Sequence, residues 1–224
     1  TFLLFILALC SIALFAQNVD WLWAKQAGGI SEDYGLGQSI AVDAYGNSYV
    51  TGYFEGSATF GTTTITSSGD EDIFVAKLDI SGNWLWAKQA GGIDYDCGGS
   101  IAVDANGNSY ITGYFEGSAT FGTTTLTSSG DRDIFVAKLN SNGNWLWAKQ
   151  AGGTDDDGGG SIAVDDNGNS YVTGYFEGSA TFGTTTLTSS GEEDIFVAKL
   201  GEVNSISLPD IISFSGIRSI YPNP

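Results

Sequence analysis

The sequence Trp-Leu-Trp-Ala-Lys-Gln-Ala-Gly-Gly occurs three times, at residues 21–29, 84–92 and 145–153. The residues between the copies repeat as well, and residues 100–139 and 161–200 differ at only four positions. The second and third copies start 61 residues apart, and the first unit is two residues longer. Repetition at this spacing indicates an array of equivalent structural units that are stabilised by their neighbours.

Each unit reads as four β-strands. In the first unit these are Ser39–Asp43, Ser48–Phe54, Asp72–Leu78 and, within the tryptophan motif, Trp84–Gln89. Their alternating or β-branched and aromatic residues are typical of strands, and no stretch shows the 3.6-residue period of an amphipathic helix. Residues 57–66 predict a small additional hairpin between the second and third strands.

Aspartate and glycine mark a tight turn between the first two strands of every unit. An aspartate opens such a turn by accepting backbone N–H groups, and a glycine closes it with a positive φ. The predicted turn residues are Asp43, Asp104, Asp165, Gly46, Gly107 and Gly168.

The fourth strand predicts how the units pack. Two tryptophans point to one side of it, so we expect packing between units for Trp84, Trp86, Trp145 and Trp147. A single sheet that is apolar on both faces cannot bury itself, whereas sheets stacked around an axis can. The small residues of the first strand suit the position nearest that axis. The sequence therefore predicts an all-β, propeller-like array of three four-stranded antiparallel blades, at about 21–83, 84–144 and 145–200.

Three segments of the unit resemble a known family. These are Ser-Ile-Ala-Val-Asp-x-x-Gly-Asn-Ser-Tyr-Val-Thr-Gly, Phe-Gly-x-x-x-Leu-Thr-Ser and Asp-Ile-Phe-Val-Ala-Lys-Leu, which are similar to the bacterial β-propeller repeat family SBBP. The resemblance covers roughly residues 21–200. It implies an extracellular or cell-envelope propeller and no particular ligand. Three units are fewer than the four to eight blades that close a ring.

The first copy of the motif is a fourth strand without its own blade, and the last unit ends at Leu200 without a fourth strand. We therefore expect residues 21–26 to complete the last blade, within one chain or across a homodimer that makes a six-bladed ring. An open arc of three blades is the alternative.

The two ends of the sequence predict export. Residues 1–16 are almost wholly apolar and end in alanine before polar residues, as in a secretory signal peptide whose beginning is missing. Residues 201–217 read as a linker. Residues 218–224 end in Tyr-Pro-Asn-Pro, which resembles the start of the C-terminal sorting domain of type IX secretion substrates in Bacteroidetes. Expected partners include that secretion machinery, and the expected location is the medium or the outer cell surface.

Composition excludes several classes of function. Eight basic residues stand against 26 acidic ones, giving a net charge of −18, which repels nucleic acid. With no histidine, the chain has no Ser-His or Cys-His nucleophile. We expect no catalytic residues and no cofactor, and interpret Cys97 as a tolerated loop substitution.

Carboxylates and aromatics leave alternatives open. Asp155 and Asp157 are candidate Ca²⁺ ligands because their spacing and the following glycines resemble a calcium-binding loop, although a predicted strand begins there. Turn capping is the alternative role for such aspartates. Tyr53, Tyr114 and Tyr175 could stack on sugars or pack between blades. The sequence thus predicts a secreted, non-catalytic module that binds or adheres to a protein or glycan. The alternatives are a carbohydrate-active enzyme or its accessory domain, and a threefold lectin.

Overall fold

The computed structural model describes residues 19–29 and 35–202. The predicted signal peptide, nearly all of the predicted linker and the predicted start of the sorting domain lie outside these residues. The strands are β1 (Gly35–Val42), β2 (Ser48–Phe54), β3 (Ser57–Phe60), β4 (Thr63–Thr66), β5 (Asp72–Leu78), β6 (Trp84–Ala90), β7 (Asp96–Val103), β8 (Ser109–Phe121), β9 (Thr124–Leu139), β10 (Trp145–Ala151), β11 (Asp157–Val164), β12 (Ser170–Phe182) and β13 (Thr185–Leu200). Over the two described ranges, no helix has the length and apolarity needed to cross a membrane.

The strands form three blades, and all neighbouring strands in them are antiparallel. Blade 1 has the order β1-β2-β5-β6, blade 2 the order β7-β8-β9-β10, and blade 3 the order β11-β12-β13. The prediction of an all-β, propeller-like fold is confirmed. Each blade takes its fourth strand from the tryptophan motif that follows it, so the blades begin about twelve residues after the sequence units do.

The additional hairpin differs between blades. In blade 1 it is a separate two-stranded sheet, β3-β4. In blades 2 and 3 the same residues extend the second and third strands, and pairing continues across a bulge at Glu116–Ser118 and at Glu177–Ser179. The predicted hairpin is therefore present in all three blades, and blades 2 and 3 differ only in that it continues the main sheet. A bulge lets the ladder continue past the glycine between those residues.

The first strands of successive blades lie side by side. Ser39 Oγ accepts the backbone N–H of Ile101 at 3.3 Å, and Ser100 Oγ accepts that of Ile162 at the same distance. A Cβ on Gly99 would come within 3.0 Å of the carbonyl oxygen of Gly159. Small residues permit this approach, which makes the first strand of each blade the innermost one.

Two apolar clusters hold the blades together. Blades 1 and 2 meet through a cluster that contains Ile73, Val75, Phe121 and Phe135, all less than 2% exposed. Blades 2 and 3 meet through a second cluster, which contains Tyr110, Ile134, Ile162 and Phe196. A third cluster, with Phe54, Phe60 and Phe74, lies on the face of blade 1 that points away from blade 2. Stability therefore comes from blade stacking, as it does in other repeat arrays.

The prediction that both tryptophans of a fourth strand point to one side is wrong, because the pairing of that strand has a register shift near the first tryptophan and the two side chains lie on opposite faces. Trp86 donates its Nε1–H to the carbonyl of Ser141 in blade 2 at 3.2 Å. Trp145 packs against the cluster between blades 1 and 2, and Trp147 against the cluster between blades 2 and 3. Trp84 lies edge-to-face on Phe60, with ring centroids 5.1 Å apart, in the cluster on the free face of blade 1.

The leading tryptophan motif does not complete blade 3 of its own chain. Residues 21–27 belong to no strand and are exposed, and Gly28 forms an antiparallel bridge with Thr59 of blade 1. The prediction of closure within one chain is therefore wrong. The physical reason is that the bridge from Gly28 to Thr59 holds this segment against blade 1, and blade 2 separates blade 1 from blade 3. Closure across a homodimer is not touched by this finding.

Candidate functional site

At one end of the blades, the predicted turn residues form closed hydrogen-bond networks. Asp43 Oδ1 accepts the backbone N–H groups of Tyr45 and Asn47, each at 2.9 Å. Its Oδ2 accepts Asn47 Nδ2 and the hydroxyl of Tyr49. Asp104 and Asp165 make the equivalent bonds in the other blades. The glycines that close these turns have positive φ: Gly46 +80°, Gly107 +75° and Gly168 +77°. These carboxylates are occupied by their own turns.

The opposite end of the blades carries a different set of side chains, which we call the tyrosine face. A half-buried tyrosine stands near the end of the second strand of each blade, followed two residues later by a glutamate. A third charged residue comes directly before the aspartate that every repeat has in its third strand, and in blades 2 and 3 it is the cross-strand partner of that glutamate. By blade, the tyrosine face consists of Tyr53, Glu55 and Glu71; Tyr114, Glu116 and Arg132; and Tyr175, Glu177 and Glu193.

Blade 2 neutralises its own part of this face. Arg132 Nε lies 2.8 Å from Glu116 Oε1, and the two residues are cross-strand partners. The guanidinium also lies 4.7 Å from the centre of the Tyr114 ring. The hydrogen bond to Glu116 raises the pKa of Arg132 further above its usual value. One cation is thus held by a carboxylate and by the face of an aromatic ring, an arrangement that both ion pairing and cation–π attraction favour.

Blades 1 and 3 have a glutamate where blade 2 has Arg132. Burial, followed by the neighbouring Glu55 and Asp70, raises the pKa of Glu71. Burial, Asp156 and Glu193 likewise raise the pKa of Glu177. Burial and like charges both disfavour the ionised form of a carboxyl group, and both act on Glu71 and Glu177 in the same direction.

The three blades share one electrostatic environment at this face. Arg132 of blade 2 lowers the pKa of Glu71 in blade 1, partly offsetting the effects of burial and of like charges. It also opposes the rise in the pKa of Tyr175 in blade 3, which burial and Asp156 cause. Groups from all three blades therefore act on one another, and the face is a continuous surface.

Below the tyrosine face, each interface between blades contains two buried aspartates. A Cβ on Gly91 would lie 2.6 Å from Asp72 Oδ1 and 2.8 Å from Asp96 Oδ2. Both aspartates are 0% exposed. Within the part of the chain that the structure describes, Oδ1 of each accepts no hydrogen bond. Asp133 and Asp157 flank Gly152 in the same way.

Burial makes these carboxylates weak acids. It raises the pKa of Asp96 to about 8, with the Asp72 charge adding to the effect, and it raises that of Asp72 to about 6. Sequence reasoning missed the pairs because each member reads alone as a turn residue. The recurrence of one aspartate after the glycine pair and another before the third strand was the available signal.

The structure separates the two candidate calcium ligands. Asp157 is the first residue of β11, and its oxygens accept the N–H groups of Gly153 at 2.6 Å and Glu177 at 3.3 Å. Asp155 is exposed in the loop before it and accepts a bond from the hydroxyl of Thr154 at 3.4 Å. Over residues 19–29 and 35–202, no three His, Cys, Asp or Glu side chains converge in a metal-binding arrangement. Calcium binding at Asp155 and Asp157 stays a prediction.

Cys97 lies in a strand rather than in a loop, which corrects the interpretation from the sequence. It is the second residue of β7 and is 6% exposed. Burial, and then nearby Glu71, raises the pKa of its thiol to about 11. A protonated, buried thiol behaves as a small apolar side chain.

Comparisons with known proteins find similarity in each of the three repeats. The β-propeller repeat (SBBP) family model matches residues 22–53, 85–114 and 146–175. An uncharacterised WD repeat-containing protein of Acanthamoeba polyphaga mimivirus is 28% identical over 188 residues. That alignment covers 70% of this chain and 13% of the viral protein, so the chain spans a small part of that relative.

A solved structure is also similar over part of the chain. It is the crystal structure of a protein of unknown function from Bacteroides caccae, 14% identical, and the match covers 62% of this chain and 53% of that one. The TM-score is 0.26, so this likeness carries no argument.

Proposed function

We propose that this chain, whose three repeats each match the β-propeller repeat model, is a non-catalytic binding module, secreted or on the cell surface. In this proposal its tyrosine face binds the cationic side chains of a protein partner. Blades 1 and 3 each take up an arginine or lysine of the partner at the place where blade 2 already holds its own Arg132.

The observation that carries the proposal is the contact geometry of Arg132. Its guanidinium pairs with Glu116 and covers the ring of Tyr114. The other two blades have the same tyrosine and the same glutamate, but a second carboxylate stands at the place of the arginine. A cation from outside would therefore meet two carboxylates and an aromatic ring in each of these blades.

Charge supports a protein ligand that carries clustered basic residues. The chain has a net charge of −18, which accelerates encounter with a cationic surface and repels nucleic acid. Tyrosine and arginine are also the side chains that contribute most strongly to binding at protein interfaces. A neutral sugar would compete with Arg132 for the ring of Tyr114, which disfavours stacking in the central blade.

The proposal is tested by titrating the chain with an arginine-rich peptide and measuring the binding by isothermal titration calorimetry at low and at high salt. We expect binding that weakens as salt increases, and no binding of a glutamate-rich peptide of the same length. Glu193→Arg gives blade 3 the internal cation of blade 2, and we expect it to weaken binding at least about fivefold, equal to about 1 kcal/mol.

A matched control is Asp166→Arg, which makes the same change of charge in the exposed turn at the opposite end of blade 3. It should leave the affinity within a factor of two of the parent. Equal losses in both variants would mean that overall charge governs binding, and the site assignment would be abandoned. Binding of neutral oligosaccharides instead would favour the lectin alternative, and turnover of a polysaccharide would favour the enzyme alternative.

The cellular location in this proposal comes from the sequence. It relies on the apolar residues 1–16 and the terminal Tyr-Pro-Asn-Pro motif. Expression of the natural gene, with the complete signal peptide and sorting domain that the proposal requires, in a bacterium that has type IX secretion, with fractionation of cells and medium, is the direct test. Recovery of the chain in the cytoplasm, with residues 1–16 still attached, would refute it.

A further inference from the structure

The leading motif is already positioned as the fourth strand of a blade that precedes blade 1. Gly28 bridges Thr59 in the same way as Gly91 bridges Thr120 and Gly152 bridges Thr181. In blades 1 and 2 the glycines of these bridges directly follow the fourth strand, and they tie it to the next blade. Residues 21–27 therefore stand where such a strand belongs.

Side-chain contacts give the same position. A Cβ on Gly82 of blade 1 would lie 2.8 Å from Trp23 and 3.0 Å from Lys25. A Cβ on Gly143, the equivalent glycine of blade 2, would lie 2.8 Å from Trp86 and 3.1 Å from Lys88. The motif meets the next blade in the same way in both places, yet Trp21 is 91% exposed and no described strand pairs with its segment.

Among the described residues, blade 3 has no fourth strand beside its third strand, β13. In blades 1 and 2 the third strand is covered by the fourth, whereas β13 is the last described strand of its sheet. One face of β13 is open as well as its edge: Ile195 and Val197 are 82% and 76% exposed, whereas the equivalent Ile73 and Val75 of blade 1 are fully buried against blade 2. An exposed strand edge with apolar side chains is a template for another strand.

The groove beside β13 corresponds to the place that a tryptophan fills in blades 1 and 2. In blade 1, Trp84 packs against Phe60, and a Cβ on Gly61 would lie 3.1 Å from it. Trp145 makes the same contacts in blade 2, with Phe121 and Gly122. In blade 3 the equivalent Phe182 and Gly183 line a groove of about 470 Å³ beside β13 and β10, and no described atom lies within 4 Å of a Cβ on Gly183.

The outer face of blade 1 lacks a neighbour as well. Ile40 in its first strand is 61% exposed, while the equivalent Ile101 and Ile162 are 5% and 7% exposed because the preceding blade covers them. Within the array, faces of these two kinds bury one another. A single chain thus offers both halves of one more interface of the kind it already contains twice.

We propose that a second copy of this chain completes blade 3, with its residues Trp21–Ala27 forming the fourth strand beside β13. The pairing of β6 with β5 fixes the register, so that Trp21 lies opposite Leu200 and Ala27 opposite Ile195. Trp21 then fills the groove at Phe182. Because the described residues of each copy offer one such edge and one such segment, two copies exchange both, and their described blades together number six.

Cysteine cross-linking between two differently marked copies tests the exchange. In the proposed register Lys25 lies opposite Val197, as Lys88 lies opposite Val75 in blade 1. Opposite residues of antiparallel strands are close enough for a disulfide. Single variants Lys25→Cys and Val197→Cys are made in a Cys10→Ser background, mixed and oxidised, and we expect a covalent dimer on a non-reducing gel.

Two controls make the result decisive. Mixing Lys25→Cys with Leu85→Cys, which lies on the outer strand of blade 1, should give no cross-link above background. The double variant Lys25→Cys, Val197→Cys should give covalent dimers. A cyclised single chain instead would mean that the chain completes its own blade, and it would overturn the proposal.

Light scattering gives an independent measure on the unmodified chain. We expect a dimer whose proportion rises with concentration, and loss of that dimer in Ile195→Lys. Ile195 is 82% exposed, so this change leaves a single copy folded, which circular dichroism checks. A monomer at every concentration would overturn the proposal. It would mean that β13 is not covered by a second copy, and residues 203–224 or an unrelated protein would then be the alternatives.

Discussion

The buried aspartate pair between blades 1 and 2 predicts an unusual dependence of stability on pH. Asp96 is 0% exposed, and burial together with the nearby Asp72 raises its pKa from 3.8 to about 8. The folded chain therefore holds a proton that the unfolded chain releases near pH 4. Stability from this group is fully present below pH 4 and is lost as the pH rises towards 8.

The magnitude follows from the width of that window. Each unit of pH between the two pKa values costs about 1.4 kcal/mol. Between pH 5 and pH 7 the group should therefore remove about 3 kcal/mol of folding free energy. Asp72 and Asp157 have a pKa raised to about 6, so they act in the same direction over the lower part of this range.

Asp96→Asn isolates the contribution of Asp96. The amide keeps an oxygen that can accept the N–H of Gly92, which the carboxylate accepts at 2.7 Å, but it does not titrate. Urea unfolding is monitored by tryptophan fluorescence from pH 5 to pH 8. The free energy of unfolding of the variant, relative to that of the parent, should rise by about 3 kcal/mol between pH 5 and pH 7. Asp94→Asn in the adjacent loop is the control, and it should keep the slope of the parent. An Asp96→Asn variant with the slope of the parent would refute the reasoning.

Three further predictions concern packing, turns and metal. Trp86→Ala should lower the free energy of unfolding by about 3–5 kcal/mol, because Trp86 packs and hydrogen-bonds between blades, while Leu85→Ala on the outer strand should cost less than about 1 kcal/mol in the same urea titration. Asp104→Ala removes the acceptor of four hydrogen bonds and should cost about 2–3 kcal/mol, whereas the exposed Asp166→Ala should be nearly neutral; equal midpoints would contradict the turn assignment. If Asp155 and Asp157 bind Ca²⁺, millimolar Ca²⁺ should raise the melting temperature and Asp157→Asn should abolish the rise; an unchanged melting temperature would contradict the calcium prediction and would fit an Asp157 whose two oxygens are occupied by backbone N–H groups.

Much of the fold could be predicted because the same pattern of strand and turn residues occurs three times in the sequence. Strand alternation, turn chemistry and the triple copy are local properties of the sequence, and they are decided by side-chain period and by backbone conformation. The glycine of the turn at Asp43 shows this: position and residue type alone predict its positive φ, and the structure has +80° there. Local chemistry of this kind needs no tertiary contact.

The candidate site was much less predictable, since its members come from different strands and blades. Glu116 and Arg132 are sixteen residues apart and become partners only through the register of β8 and β9. Asp72 and Asp96 lie in different blades and meet only where those blades stack. Nothing in the spacing of either pair reports its distance or its burial.

The sequence by itself determined the repeat, the strand content, the turns and the acidity of the chain, because each depends on residue type and short-range order. Only the tertiary structure decided which residues share a face and where the first tryptophan motif lies. That motif is identical in sequence to two buried fourth strands, yet it is exposed here. The burial of a fourth strand depends on the blade beside it, and no property of the motif itself encodes the presence of that blade.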